Sequence, residues 1–327
     1  MLLAITFILT RGSSLKVITL KDYGIERMED IHHFLNRCLD QDAVDKELFS
    51  HITKEDPNFN PELTFIALEN DNLIGVLIGV ERTKEPKEAI EQHQRTAWIK
   101  VLAVDPLAQN RDEALDKLLS EFIEVMKTRG KEEVRYADFA SWYLFPGLDL
   151  SYEYYLIKLL KRGFTKVGEC VDYEVDLLHF RIPRRVHEVM KSCQAKNILF
   201  RRGVRGEENA VSKWVFERFG PFWKIETLMA YTRRERPTIW LALRGDEVLG
   251  FSCYSALHID WFGPIGVDVK ARRLGIGTVL LFKSLEDMHL MGRRIIRIPW
   301  TSHLFFYSQV PNVVRIRHYW QLQLKLK

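Results

Sequence analysis

Apolar and polar positions along the chain fall into an order that occurs twice. Thr64–Val80 reads as two apolar runs on either side of a polar Asn70–Asp71–Asn72 turn, and Thr238–Tyr254 repeats that unit around Arg244–Gly245–Asp246. Both predict antiparallel hairpins. A helical segment precedes each, over Glu26–Leu39 and over Glu207–Phe219. After each hairpin comes another strand, a polar turn and an amphipathic helix. In the first copy Leu115, Leu118, Leu119, Phe122, Val125 and Met126 form one helical stripe; in the second it is Leu281, Leu285 and Met288, flanked by Phe282. Gly130 and Gly292 close these helices, a capping role they would have in any fold. Ile295–Ile298 then reads as a strand. Strand, helix, hairpin, strand, turn, helix, strand is an α/β order. It predicts two tandem domains, each a mixed, mostly antiparallel sheet flanked by helices.

The ordered pattern begins near Leu15–Leu20. Residues 1–14 read as an extension, because the apolar run Met1–Leu9 is too short to span a membrane and lacks a signal peptide's basic flank and cleavage site. Val171–Leu177 reads as a terminal strand. The expected division is 15–179 for the N-terminal domain, 180–196 for a linker with a short helix, and 197–327 for the C-terminal domain.

Composition narrows the function without naming it. A chain of 327 residues is comfortable for two cores. Its net charge of +4 is too weak to argue for nucleic acid, although it suits an anionic ligand, and there is no basic-aromatic stripe. Cys38, Cys170, Cys193 and Cys253 are scattered with no C-x-x-C pair, so neither a disulfide framework nor a metal site is expected. A reducing cytoplasm and no membrane association are the simple expectations.

The chemistry concentrates at Val267–Thr278, where a strand runs into a turn that carries Arg272, Arg273, Gly275 and Gly277 and opens a helix. Free N–H groups at a helix start hold anions, and glycines let the backbone approach a phosphate. The lysine and spacing of a P-loop are missing, and so is the third glycine of the dinucleotide fingerprint. The first copy, Val104–Ala114, aligns on this turn without gaps but has Asp112 where Gly275 stands. A non-glycine in a left-handed conformation costs about 1–2 kcal/mol. Asp112 and Glu113 would also face a phosphate with like charge, on the order of 4 kcal/mol per contact at an effective dielectric of 20. Pro106 would remove a strand N–H. The C-terminal turn is therefore expected to bind an anion, and the N-terminal one weakly or not at all.

The pattern Arg272-x-x-Gly275-x-Gly277 after a strand resembles the acyl-CoA loop of the GNAT N-acetyltransferase superfamily, and the element order of both copies resembles its fold. The resemblance implies acetyl-CoA as donor and a small-molecule or peptide primary amine as acceptor, attacked directly. It implies that a strand over Phe262–Val269 meets the pantetheine arm through main-chain groups near Val267 and Val269. Backbone N–H groups of Arg272, Arg273, Leu274, Gly275, Ile276, Gly277 and Thr278 would hold the pyrophosphate. Phe306–Tyr307 matches the family's aromatic-tyrosine pair, making Tyr307 the proton donor to the departing thiolate. Asp260, His258 and His303 are candidates for the base. An acceptor pocket is expected from Trp214–Trp223 and Met229–Tyr231, with Trp142–Asp149 and Tyr152–Tyr155 lining a cleft between domains. Transfer of another acyl group, and a non-catalytic acyl-CoA-binding module, remain alternatives.

Overall fold

A computed structural model describes residues 15–327, so the extension expected over 1–14 lies outside the described residues. The N-terminal half opens with β1 (Leu15–Thr19), α1 (Leu20–Tyr23) and α2 (Met28–Cys38). A helix that the periodicity did not anticipate, α3 (Lys46–Ile52), follows. Asp45 starts it by accepting the Leu48 N–H at 2.8 Å, as an N-cap carboxylate does. β2 (Phe59–Glu69) and β3 (Asn72–Glu81) form the first hairpin. Asn70 and Asp71 both adopt positive φ, 49° and 64°, which matches the turn to the strand twist.

β4 (Thr96–Val104) is buried along its whole length and leads into α4 (Arg111–Thr128) and β5 (Glu133–Tyr136). Next come β6 (Leu148–Asp149), α5 (Glu153–Lys161), β7 (Thr165–Asp176) and α6 (Arg184–Gln194). The C-terminal half is β8 (Leu199–Arg202), α7 (Glu208–Phe219), α8 (Pro221–Thr232), the hairpin β9 (Ile239–Arg244) and β10 (Glu247–Tyr254), and β11 (Phe262–Val267). α9 (Ile276–Leu290), β12 (Ile295–Thr301), α10 (Leu304–Tyr307) and β13 (Val313–Lys325) complete it.

Strand pairing crosses the boundary expected at 180–196. The order of the larger sheet is β1-β2-β3-β4-β5-β13-β7-β12, with β6 also on β13. The last strand of the chain therefore lies inside the first half's sheet, between β5 and β7. β7 in turn carries β12 from the second half. The smaller sheet is β11-β10-β9-β8. The exchange is sealed by charge. Arg317 of β13 is 2% exposed and bonds Asp42 at 2.5 Å and Asp149 at 2.6 Å. Arg297 of β12 reaches the same Asp42 at 3.3 Å. Removing either partner from such a buried pair leaves an uncompensated charge, so the traded strands are tied to the first half.

The repeat is exact at one structural point. β4 and β5 pair in parallel, with Trp98 opposite Arg135. β11 and β12 touch in parallel at a single bridge, Trp261 opposite Arg297. The second pair parts after that bridge, whereas β4 and β5 stay together one residue longer, with Ile99 opposite Tyr136 and the Ala137 N–H on Ile99 O at 2.8 Å, before they separate. The wedge they leave is where each half could admit a ligand.

Candidate active site

In the C-terminal half the wedge is open. β11 pairs with β10 on one edge, and the Asp268 N–H bonds Leu249 O at 2.8 Å. Alternation along a strand sends the Val267 N–H to the opposite edge, into the wedge. β11 ends at Val267. Val269, expected on this strand, lies instead in a short 3-10 turn and is exposed. The reason is Asp268, whose carboxylate accepts the Lys270 N–H at 2.9 Å and curls the chain.

Gly275 starts α9 with φ +83°, the left-handed conformation that favours glycine. A Cβ there would overlap Val189 of α6. At Gly277 a Cβ would press on the Phe306 ring at 3.3 Å. The first N–H bonded inside the helix is that of Val279, to Gly275 O at 3.2 Å. Helix geometry thus leaves the N–H groups of Ile276, Gly277 and Thr278 aimed out of the helix start. Arg272 and Arg273 stand beside them, both exposed. α9 is held by Asp287, which accepts from Arg202 at 2.6 and 2.7 Å, Tyr254 at 2.7 Å and Trp240 at 2.9 Å. The side chains of β8, β9 and β10 thereby fix the helix axis, and with it the turn.

In the N-terminal half the wedge is filled. Tyr155 of α5 accepts the Val104 N–H through its hydroxyl at 3.0 Å. Val104 is the residue that aligns with Val267. Asp112, aligned with Gly275, sits in the first turn of α4 with an ordinary helical backbone, so no left-handed strain is stored there. The helix begins two residues earlier in the repeat than α9 does. A chain without glycine at that position extends the helix rather than adopting the left-handed turn. The Asp112 carboxylate is taken by Lys158 at 2.6 Å and by the Tyr154 hydroxyl at 2.8 Å. The Lys158 hydrogen bond holds its pKa below the usual range. Pro106 lies beyond the end of β4 and costs no ladder bond.

A cavity of about 940 Å³ opens from the C-terminal wedge. One end is bounded by β11 from Phe262 to Val267, Arg272, Gly277 and Phe306. Tyr307 is on its wall, buried against Phe262, Tyr173 and Phe306. Burial pushes the Tyr307 pKa upward, so the hydroxyl keeps its proton through neutral pH. His303 is at the exposed rim.

The other end lies between the two halves. Phe219, Phe222 and Trp223 reach it from the expected aromatic stretch, and Tyr143 from the first half. Trp214 instead packs on Phe219 and Phe251, and Tyr231 is a core residue bonded to Glu207. Tyr152 and Tyr155 do not line this cavity; they belong to α5 and its approach.

Asp260 and His258 are not on this cavity. Asp260 is clamped by Arg293 through two hydrogen bonds, at 2.5 and 2.9 Å. His258 bonds Asp45 at 2.8 Å and accepts the Asp260 N–H at 3.2 Å. Both line a separate cavity of about 220 Å³ at the junction with α3. Alternation along an extended strand placed them on one face, but that stretch is a turn ahead of β11.

Two carboxylates face the main cavity, the exposed Glu169 and a buried one that no sequence motif marks. Glu226 of α8 is 8% exposed, and its side chain meets the Ser141 hydroxyl at 3.2 Å. Burial raises its pKa to about 7, against the smaller opposing effect of that hydrogen bond. A carboxyl held near neutrality in a cleft is a general-base candidate. The one sequence signal was a lone acidic residue inside the apolar run Ile225–Tyr231.

Three solved structures superpose on almost the whole of this chain. A GCN5-related glucosamine N-acetyltransferase region of a fungal multi-domain GH3 beta-N-acetylglucosaminidase superposes with TM-score 0.77 at 14% identity. The match covers 96% of this chain and 38% of that one, so this chain spans well under half of that protein. A GCN5-related N-acetyltransferase from Sphaerobacter thermophilus matches with TM-score 0.67 at 15% identity, over 96% of both chains. A tandem GNAT protein from the clavulanic acid biosynthesis pathway gives 0.65 at 12%, over 96% of this chain and 99% of that one. No protein-family model and no curated protein matches the chain. The fold is thus that of the GNAT N-acetyltransferases, in the tandem form. Among the described residues no group of His, Cys, Asp and Glu is placed to hold a metal, and no helix is long and apolar enough to cross a membrane.

Proposed function

We propose that the protein is an N-acyltransferase that moves an acetyl group from acetyl-CoA to a primary amine by direct attack. The observation that carries this reading is one cavity that runs from Arg272 and Gly277 at the start of α9 to the buried Glu226, with Tyr307 on its wall. Acetyl-CoA supplies an activated thioester and a pyrophosphate. The N–H groups of Ile276, Gly277 and Thr278 would meet that pyrophosphate, with Arg272 and Arg273 adding charge and the Val267 N–H turned toward the pantetheine arm.

Glu226 takes one proton from the incoming ammonium, whose pKa near 10.4 otherwise keeps it unreactive. The amine nitrogen bonds the acyl carbon, and the carbon–sulfur bond breaks. Tyr307 gives its proton to the leaving sulfur. The second proton of the amine, released as the amide forms, restores Tyr307. One proton is released overall, from Glu226.

The test is turnover of acetyl-CoA with a primary-amine panel from pH 5 to 9. The rate is expected to rise with pH through about 7, where Glu226 ionises. Glu226→Gln is expected to lower kcat by about 10²–10⁴-fold and to flatten that limb. A pH limb that survives in Glu226→Gln would exclude Glu226 as the base.

A further inference from the structure

The acceptor end of the cavity also limits which amine fits, an inference that rests on the acyl-transfer reading above. Its walls are rings. Tyr143 stacks on Trp261 with centroids 5.3 Å apart and an interplanar angle of 28°. Its other neighbour is Trp300, edge-on at 5.0 Å. Phe222 and Trp223 of α8 complete the enclosure, beside Glu226.

Two uncharged polar side chains of the lining are already engaged: Thr301 accepts the His303 N–H at 3.1 Å, and Gln321 donates to Pro146 O at 3.5 Å. Glu169, Arg272, Ser302 and His303 are all exposed, at the rim or at the turn that starts α9. The ionisable groups in the buried part are Glu226, the Tyr143 and Tyr307 hydroxyls and the Cys170 thiol. Burial holds the Tyr143 pKa well above its ordinary value, and the nearby Glu226 carboxylate adds to this. Cys170 is also pushed up by burial and turns toward Pro146 O at 3.8 Å. The buried end therefore offers one anion and several aromatic faces. Aromatic faces attract ammonium groups and stack on flat rings. They leave hydroxyl groups unpaired, and an unpaired buried polar group is costly.

We infer that the acceptor is a primary amine on a compact aromatic or aliphatic body, seated against Tyr143, Trp261 and Trp300 with its nitrogen at Glu226. A polyhydroxylated amine or a lysine within a peptide fits this end poorly.

The N-terminal half has a part in this selection. Tyr143 sits in the loop after β5, where Ala137, Asp138 and Ser141 take positive φ. Arg82 pins that loop, bonding Ala140 O at 3.3 Å while its guanidinium lies over Phe139 at 4.1 Å and over Phe222 at 4.8 Å. Ser141 then joins Glu226 and the Phe222 carbonyl, at 3.2 and 3.3 Å. The half whose own wedge is filled thus supplies a wall of its partner's acceptor site.

Calorimetric titration at pH 8 tests this without turnover, using 2-phenylethylamine, glucosamine and a lysine-containing peptide on the whole protein in the presence of CoA. 2-Phenylethylamine is expected to bind at least tenfold more tightly than the other two. Tyr143→Ala is expected to weaken it about tenfold or more, while acetyl-CoA binding and the melting temperature of Tyr143→Phe stay as in the parent. Tighter binding of glucosamine or the peptide overturns the inference, as does equal binding of 2-phenylethylamine by Tyr143→Ala. So does failure of 2-phenylethylamine to bind a protein that does bind acetyl-CoA. Failure to bind acetyl-CoA itself counts against the acyl-transfer reading, and the amine titration on the protein alone still decides the acceptor class.

Discussion

The two halves carry the same strand, turn and helix, yet one wedge is closed and the other open. In the first, α5 lies against the diverging strands and its Tyr155 occupies the Val104 N–H. In the second, the corresponding segment is only the four-residue α10, and Tyr307 stops at the cavity wall. The first wedge is closed both by what the following helix puts into it and by its own early helix start at Arg111. Asp112 belongs to the same event: with no free helix start to hold an anion, its carboxylate became the anchor for Lys158 and Tyr154.

The sharpest way to break the contrast is Gly275→Asp, which gives the second half the first half's residue. It forces a non-glycine to φ +83° and drives a Cβ into Val189. Acetyl-CoA affinity is expected to fall at least ~100-fold by calorimetry, from strain of about 1–2 kcal/mol plus charge repulsion. An unchanged affinity would place the ligand elsewhere.

The reverse change, Tyr155→Ala in the first half, is expected to cost about 3 kcal/mol in denaturant unfolding, since a buried ring and the acceptor for a buried N–H are both lost. It is not expected to create a second acetyl-CoA site, because Asp112 and the early helix start remain. A stoichiometry of two would show that α5 alone closes the groove.

Glu226→Gln gives a smaller effect of opposite sign on stability. The folded pKa of about 7 lies above the ordinary carboxyl value of 4.5. Between those values the folded chain binds more protons than the unfolded one, so stability falls as pH rises through that window. The parent protein is expected to melt lower at pH 8 than at pH 5 by this contribution, and Glu226→Gln to lose that part of the difference. The same substitution then lowers turnover and raises stability at pH 8.

Asp260→Asn is the mildest. It weakens a partly exposed pair with Arg293, worth about 1 kcal/mol or less. Turnover is expected to stay within about twofold of the parent. A large loss of kcat would return Asp260 to the site.

The elements were largely legible in the order of residues, because period and turn chemistry are local. The β2–β3 and β9–β10 hairpins, α4, α9 and the glycine start of α9 follow from alternation, helical stripes and glycine placement. α3 was missed because its seven residues hold too few turns for a stripe to show. Val269 was read as strand because the Asp268 side-chain turn interrupts an otherwise apolar run. Of the candidate site, the turn and glycine helix start at 267–278 were legible, because they too are local. Tyr307 was reachable from a family pattern, whereas Glu226 carries no local mark of the burial that raises its pKa.

What the residue order determined by itself was the repeat, the α/β class and the asymmetry between Gly275 and Asp112, since each depends on neighbours a few positions away. The exchange of β7 and β13, the closure of the first wedge by α5 and the meeting of Ser141 with Glu226 were decided only in three dimensions. Ser141 and Glu226 are 85 positions apart, and Asp42 and Arg317 are 275 apart. No local period records which distant strand will take an edge, because that choice follows from burying whole faces and pairing buried charges at once.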